Sequence, residues 1–249
     1  MSAEMKGPGI LWVTSRIAAS AKDILDEETF MKWYDDDHIA EIVETEGIKD
    51  AFRYINVERG SPSVPKPFLA FYPMPDLAFT QGSDFKKIRV KSDILPGSGI
   101  VYDLADIDVG YYGLVGKTEA TAKKEPAQYI VVSAIEPASD ASDDEVNKFF
   151  DEQIAAVSKA SNYLRTIRFK LCYARTNAQS RALKGLPTTD EPAPEPPTWQ
   201  AVHEFSVEPA AEVRGNIKGD SNPVLEKAKQ NELNVYKLAK THGGKKFFE

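Results

Sequence analysis

Three residues in the amino-terminal half have the types and the spacing to move a proton: His38, Tyr34 and Tyr72. An imidazole titrates near pH ~6.5, so His38 can serve as a general base or acid at neutral pH. Stepping about 100° per residue from Phe30 puts Tyr34 at roughly 40°, His38 at roughly 80° and Ile42 at roughly 120°. His38 therefore falls inside an apolar arc that faces the core, while Asp36 points outward and Asp37 sits on the flank beside Trp33. Tyr72 alternates with Phe68 and Ala70 along Phe68-Leu-Ala-Phe-Tyr72, which is a strand pattern. A hydroxyl from Tyr34 or Tyr72 could donate a hydrogen bond to an oxygen that gains charge during reaction. His38, Tyr34 and Tyr72 are the candidate catalytic group. The same imidazole also reads as a core histidine bonded to a backbone carbonyl, and the sequence leaves both readings open.

Trp12, Trp33, Phe52, Tyr54, Phe71 and Tyr102 bring aromatic surface to the same half. They read either as core packing or as the walls of a flat apolar pocket for a small hydrophobic molecule. Arg53 and Arg168 recur at matching places and suit structural ion pairs better than a substrate clamp. His203 occupies the strand position of Tyr72 in the second half, where a structural role or a second pocket would use it. His242 stands beside Gly243 and Gly244 and carries little weight. No Gly-rich phosphate loop and no Gly-x-Ser-x-Gly elbow is present. Three well-separated histidines and a single cysteine, Cys172, give no metal-ligand spacing. No metal and no organic cofactor is expected.

The elements that must position these residues emerge from an internal repeat. Leu11–Ile17 matches Tyr129–Ile135, Lys32–Asp36 matches Lys148–Glu152, and Phe52–Tyr54 matches Ile167–Phe169. Phe68–Tyr72 then matches Trp199–His203, and Val101–Ala105 matches Val235–Ala239. The order is kept, with one large insertion, the Pro-rich segment 185–197, which is expected to be exposed and disordered. Each copy reads strand, helix, strand, strand, helix, strand. Asp26 and Ser142 are the predicted caps of the two first helices, Ser142 with Glu145 forming a capping box, and Gly47 is the predicted stop of the first. The second helices are placed at 84–92 and 209–218, with a further turn at 223–231.

The predicted fold is α+β: two ferredoxin-like βαββαβ repeats in one chain, forming a pseudo-dimeric α/β barrel. Two such sheets bury against each other the faces their own helices leave bare. The expected organisation is a first repeat over 9–116, a linker over 117–127, a second repeat over 128–242 and a flexible tail over 243–249. Ungapped alignment of the helices sets Phe150 at Tyr34, Gln153 at Asp37 and Ile154 at His38, so the second copy carries apolar residues where the first carries a tyrosine and a histidine.

At 249 residues, with 42% hydrophobic and 28% charged side chains, composition is that of a globular protein. A net charge of −7 argues against nucleic acid as a partner. No apolar run reaches the ~18 residues that span a bilayer, so no membrane partner is expected, and the lone cysteine points to a cytoplasmic setting. A monomer with pseudo-twofold symmetry, or a weak homodimer, is the expected state.

Trp33-Tyr34-Asp35-Asp36-Asp37-His38, with Ile39 and Gly47 following, resembles the EthD-like branch of the dimeric α/β-barrel superfamily, in its fungal two-repeat form. That superfamily includes cofactor-free cyclases, decarboxylases, isomerases and quinone-forming monooxygenases, together with haem-using enzymes and proteins without known activity. The resemblance implies a small-molecule lyase, cyclase or isomerase acting by proton transfer on a hydrophobic, aromatic or polyketide-like substrate. The alternatives are a cofactor-free monooxygenase on an anthrone-like phenol and a non-catalytic binding or stress-associated protein.

Overall fold

The computed structural model describes residues 5–119, 125–218, 222–244 and 248. The first half runs β1 (Gly9–Ile17), α1 (Glu27–Trp33), a π turn (Tyr34–His38), α2 (Ile39–Glu44), β2 (Asp50–Asn56), β3 (Phe68–Met74), α3 (Ser83–Lys87), α4 (Val101–Leu104) and β4 (Ala105–Lys117). The second runs β5 (Tyr129–Glu136), α5 (Asp143–Val157), β6 (Tyr163–Arg175), α6 (Asn177–Leu183), β7 (Trp199–Phe205), α7 (Ala211–Lys218), α8 (Pro223–Glu226) and β8 (Gln230–Gly243). All eight strands pair antiparallel into a closed barrel in the order β1-β3-β2-β8-β5-β7-β6-β4. Each half's last strand thus leaves its own sheet edge and pairs with the second strand of the other half. Closure removes every free edge.

Strand alternation separates the core inside the barrel from the cores under the helices. Ile10, Trp12, Phe52, Tyr54, Leu69, Phe71, Tyr112, Ile130, Val132, Phe169 and Tyr236 fill the barrel interior. Leu11, Ala70, Tyr72, Val109 and Tyr111 face outward under the helices, against Phe30, Trp33, Tyr34 and Ile42. In the second half Ile135, Trp199 and Ala201 pack under Val146, Phe149 and Phe150 of α5.

Both predicted caps form. Asp26 Oδ1 accepts from the Thr29 N–H at 2.7 Å, and Ser142 and Glu145 make the reciprocal capping box. The first helix ends at Glu44, before Gly47, where Thr45 Oγ1 donates back to the Ile42 carbonyl. Gly47 is needed instead for space, because a Cβ there would stand 2.1 Å from the Phe79 ring. The predicted helix over 84–92 is shorter, Ser83–Lys87, and that over 223–231 stops at Glu226.

Ladder register corrects two of the sequence matches. Tyr112 faces Ile10, and Tyr236 faces Ile130. Ile10 therefore corresponds to Ile130, two residues from the sequence alignment, a slip that alternating patterns cannot detect because it keeps every side chain on its face. Val101–Leu104 is the short helix α4, so its match to Val235–Ala239, in the middle of β8, fails. The equivalent pair is Tyr112 with Tyr236. Both fourth strands also bulge where they cross to the other half, at Val115 and at Ala239.

Segment 185–197 has no helix or strand, and its backbone is tied at several points. The Pro187 and Glu191 carbonyls accept from Arg181 and Gln179, and the Glu195 carbonyl accepts from Gln230. Residues 120–124 of the expected linker, and 245–247 and 249 of the expected tail, lie outside the described residues. Phe248 rests against Phe169, ring centroids 6.0 Å apart. Among the described residues no helix is long and apolar enough to cross a membrane.

Candidate active site

Helix α1 lies over the outer face of β1 and β3 because Phe30, Trp33 and Tyr34 recur at three- and four-residue spacing. The helix then widens into the π turn Tyr34–His38, which takes one more residue per turn than an α-helix. Asp35 anchors this turn. Arg53 of β2 donates to it twice, Nε to Oδ1 at 2.9 Å and Nη2 to Oδ2 at 2.8 Å. Lys240 and His242 of β8 reach the same carboxylate at 3.4 and 3.2 Å. Burial opposes ionisation of Asp35, but these partners outweigh it and hold the carboxyl well below the usual range.

The turn aims His38 into a cavity of about 70 Å³ lined by Leu11, Val13, Trp33, Tyr34, Tyr72 and Tyr102, among others. The His38 ring stacks on Trp33, with centroids 4.7 Å apart and planes 16° from parallel. Part of the His38 side chain is accessible, yet its Nδ1 is sealed and has no hydrogen-bond partner. Burial pushes the imidazole pKa down to about 4, against the smaller opposing effects of the Arg89 carbonyl and the Asp37 carboxylate. Among the described residues no hydrogen bond to either ring nitrogen fixes the tautomer; the neutral ring with its proton on Nε2 carries a lone pair on Nδ1.

Tyr72 has a sealed hydroxyl with no partner, and burial drives its pKa well above 10. It is a protonated donor with nothing to donate to. Tyr34 differs, because its hydroxyl shares a hydrogen bond with Ser15 Oγ at 3.1 Å, and burial raises its pKa to about 12.

Sequence reasoning missed the residues the second half brings. Arg175, at the end of β6, is buried beside the cavity, its Nε 2.9 Å from the Tyr111 hydroxyl and its Nη1 on Ser180 Oγ. Among the described residues no carboxylate pairs with it. Lys184, just after α6, also lines the cavity, and its Nζ donates to the Lys86 and Ile88 carbonyls at 2.7 and 2.6 Å. Burial, with Arg175 nearby, lowers the Lys184 pKa. The signal for α6 was Thr176 with Gln179, a capping box that the structure contains.

Of the other predicted wall residues, Trp33 and Tyr102 line the cavity. Trp12, Phe52, Tyr54 and Phe71 do not. They point through the opposite face of the sheet into the barrel, stacked on one another with Phe71 between Trp12, Phe52 and Tyr54.

The second half lacks this cavity's polar group. The π turn's additional residue shifts the helix register, so the residue facing the sheet at the level of His38 is Gln153, not Ile154. Gln153 Nε2 donates to Ser133 Oγ at 3.0 Å and to the Ile217 carbonyl at 2.5 Å. By ladder register Ser133 stands where Val13 lines the first cavity. The expected apolar counterpart of His38 is thus a hydrogen-bonded glutamine that α7 covers. His203 Nδ1 shares a hydrogen bond with Thr166 Oγ1 at 2.8 Å, and its Nε2 is sealed without a partner.

A haem does not fit the residues around His38, since cofactor pockets run from about 300 Å³ upward and the imidazole is stacked flat on Trp33. Among the described residues no group of three or more His, Cys, Asp or Glu side chains is placed to hold a metal.

No family model matches the sequence, and no curated protein sequence does either. Solved structures do match in fold. A protein assigned as a monooxygenase from Fusobacterium nucleatum subsp. nucleatum superposes with a TM-score of 0.55 at 10% identity, over 96% of this chain and 95% of the other. An anthrone oxidase-like protein gives 0.54 at 12% identity, over 100% and 99%. A chlorite dismutase mutant from Candidatus Nitrospira defluvii gives 0.52 at 9% identity, over 96% and 93%. The chain is therefore a dimeric α/β barrel of the ferredoxin-like kind, with both halves of the barrel in one polypeptide. At these identities the likeness defines the fold alone.

Proposed function

We propose that this protein is a cofactor-independent enzyme that moves a proton on a small carbonyl compound, in the manner of a lyase, cyclase or isomerase. One observation carries the reading: a base with an unused lone pair and a donor with an unused proton, His38 Nδ1 and Tyr72 Oη, belong to side chains that line one apolar cavity. Buried polar atoms normally find partners, and two orphans at one cavity await a ligand. His38 Nδ1 takes a proton from the carbon beside the carbonyl. The C–H electron pair moves onto the carbonyl oxygen, and the Tyr72 hydroxyl donates to the resulting enolate. The imidazolium then returns the proton to the same or another carbon. Arg175 and Lys184 supply positive charge beside the cavity for the anion, and the growing enolate raises the basicity of an imidazole that burial has weakened.

Cavity size sets the substrate class. A dry cavity of about 150 Å³ holds benzene, twice the room here. Only a small group enters beneath α1, with any larger body lying toward exposed Leu183. An anthrone-sized tricycle would need α6 to move. Oxygenation of the same anion is the second reading, supported by the water-excluding apolar walls. The Trp33–His38 motif supports placing the chain among EthD-like proteins of the two-repeat fungal form.

The test is proton NMR of small β-dicarbonyl and aryl ketone acids in D2O, with oxygen uptake recorded in parallel. The expected outcome is enzyme-dependent loss of the carbon-bound proton signal, slowed about 100-fold or more in His38→Ala and about tenfold or more in Tyr72→Phe. Oxygen consumption would select the second reading. Exchange that survives His38→Ala in a folded variant, or no exchange with any compound, would contradict the proposal.

A further inference from the structure

A second recess lies at one end of the barrel, on the opposite side of the sheet from His38. It measures about 850 Å³ and is walled by Trp12, Tyr112, Tyr236, Gln200 and Glu232, with Pro194–Pro197 of the inserted segment at its rim. These side chains reach it by alternation: Glu232, Asn234 and Tyr236 share the inner face of β8, and Gln200 shares that of β7. Trp12 and Tyr236 meet edge to face, 6.4 Å between centroids and 86° between planes, so they form two perpendicular aromatic walls.

Two groups there lack partners. Gln200 is 2% exposed, and its Nε2 is sealed with nothing to donate to. Glu232 stands exposed at the mouth, partial desolvation raises its pKa, and no basic residue among those described pairs with it. Its carboxyl lies near enough to both phenols to raise the Tyr112 and Tyr236 pKa values further.

The first half is an internal control. Tyr112 and Tyr236 are equivalent by register, which makes Asp108 the counterpart of Glu232. Asp108 is neutralised by Lys66 at 2.5 Å. On β3 and β7, Gly9 faces Met74 where Tyr129 faces Phe205, so the counterpart of Lys66 is Pro197. The insertion has thus replaced the lysine by a proline and left one carboxylate of the mouth without its cation. Glu58, Asp108 and Glu195 also line the recess, with Lys66 as the one cation among the described lining residues, so its potential is negative.

The geometry points to a binding site for an organic cation: an amine on a flat aromatic or apolar body, its ammonium on Glu232, its body against Trp12 and Tyr236, and a hydrogen-bond acceptor toward Gln200. Aromatic walls attract a cation through their negative faces, and an unpaired carboxylate adds direct charge. This site is independent of His38.

The test is calorimetric titration of the full chain with phenethylamine and, as its neutral isostere, 2-phenylethanol, following tryptophan fluorescence alongside. The amine is expected to bind at least about tenfold more tightly than the alcohol, and that preference is expected to vanish in Glu232→Gln. Pro197→Lys, which recreates the first half's ion pair, is expected to weaken the amine and leave the alcohol unchanged. Equal affinity for amine and alcohol, a preference that survives Glu232→Gln, or no saturable amine binding at millimolar concentration would overturn the proposal. Folding of each variant is read from its thermal midpoint.

Discussion

His38 and Gln153 occupy equivalent levels of two copies of one helix, and they differ in what they leave unsatisfied. Gln153 spends both Nε2 protons on Ser133 and Ile217 and leaves its Oε1 unpartnered, whereas the unpartnered Nδ1 of His38 belongs to a side chain that lines a cavity. Types alone made His38, Tyr34 and Tyr72 candidates, and all three line one cavity. Types could not expose Arg175 and Lys184, because nothing local marks a cation as belonging to a cavity in the other half. Buried imidazoles also predict acid sensitivity. Burial lowers His38 to about 4 and His203 to about 3, whereas the unfolded chain binds these protons near pH ~6.5. Unfolding therefore takes up protons as pH falls below that value, and the stability held above it is lost toward the folded pKa. From about pH 7 to about pH 5 the cost is at most about 2 kcal/mol for each ring. His203→Gln should flatten the fall in urea midpoint over that window. An unchanged slope would show that His203 is protonated without cost in the native state.

At the scale of elements, the π turn decides both the site and the error in reading it. Caps at Asp26 and Ser142 were legible because capping has a local chemistry. The turn was not, because its cause lies elsewhere in the chain, in Arg53, Lys240 and His242 gripping Asp35. One additional residue then displaced the helix alignment and set Ile154, in place of Gln153, opposite His38. The recurrent arginines make a controlled comparison. Arg53 and Asp35 are 8% and 11% exposed, whereas Arg168 and Asp151 are 20% and 67% exposed. Asp35→Ala strands a buried guanidinium and should cost about 2–4 kcal/mol in urea unfolding. Asp151→Ala should cost less than about 1 kcal/mol. Equal costs would mean that Asp35 does not hold the turn.

For the whole molecule, the repeat carried the fold. Four of five sequence matches fall on equivalent elements, and the strand pattern fixed which faces are buried. Register within two residues was beyond reach, since a shift of two keeps every side chain on its face. The crossing of β4 and β8 between halves was equally hidden, although it explains why Arg175 and Lys184 can line the cavity beneath α1. The two halves also differ, with one cavity under the first helix and a lopsided charge at the barrel mouth. Proton transfer at this cavity requires a neutral imidazole at position 38 with its lone pair on Nδ1. Long-range nitrogen-15 NMR of the histidine rings, assigned with His38→Gln, tests it directly. At about pH 6 the spectrum should show His38 neutral and protonated on Nε2, titrating near 4. A charged ring at that pH, or a proton on Nδ1, would contradict it.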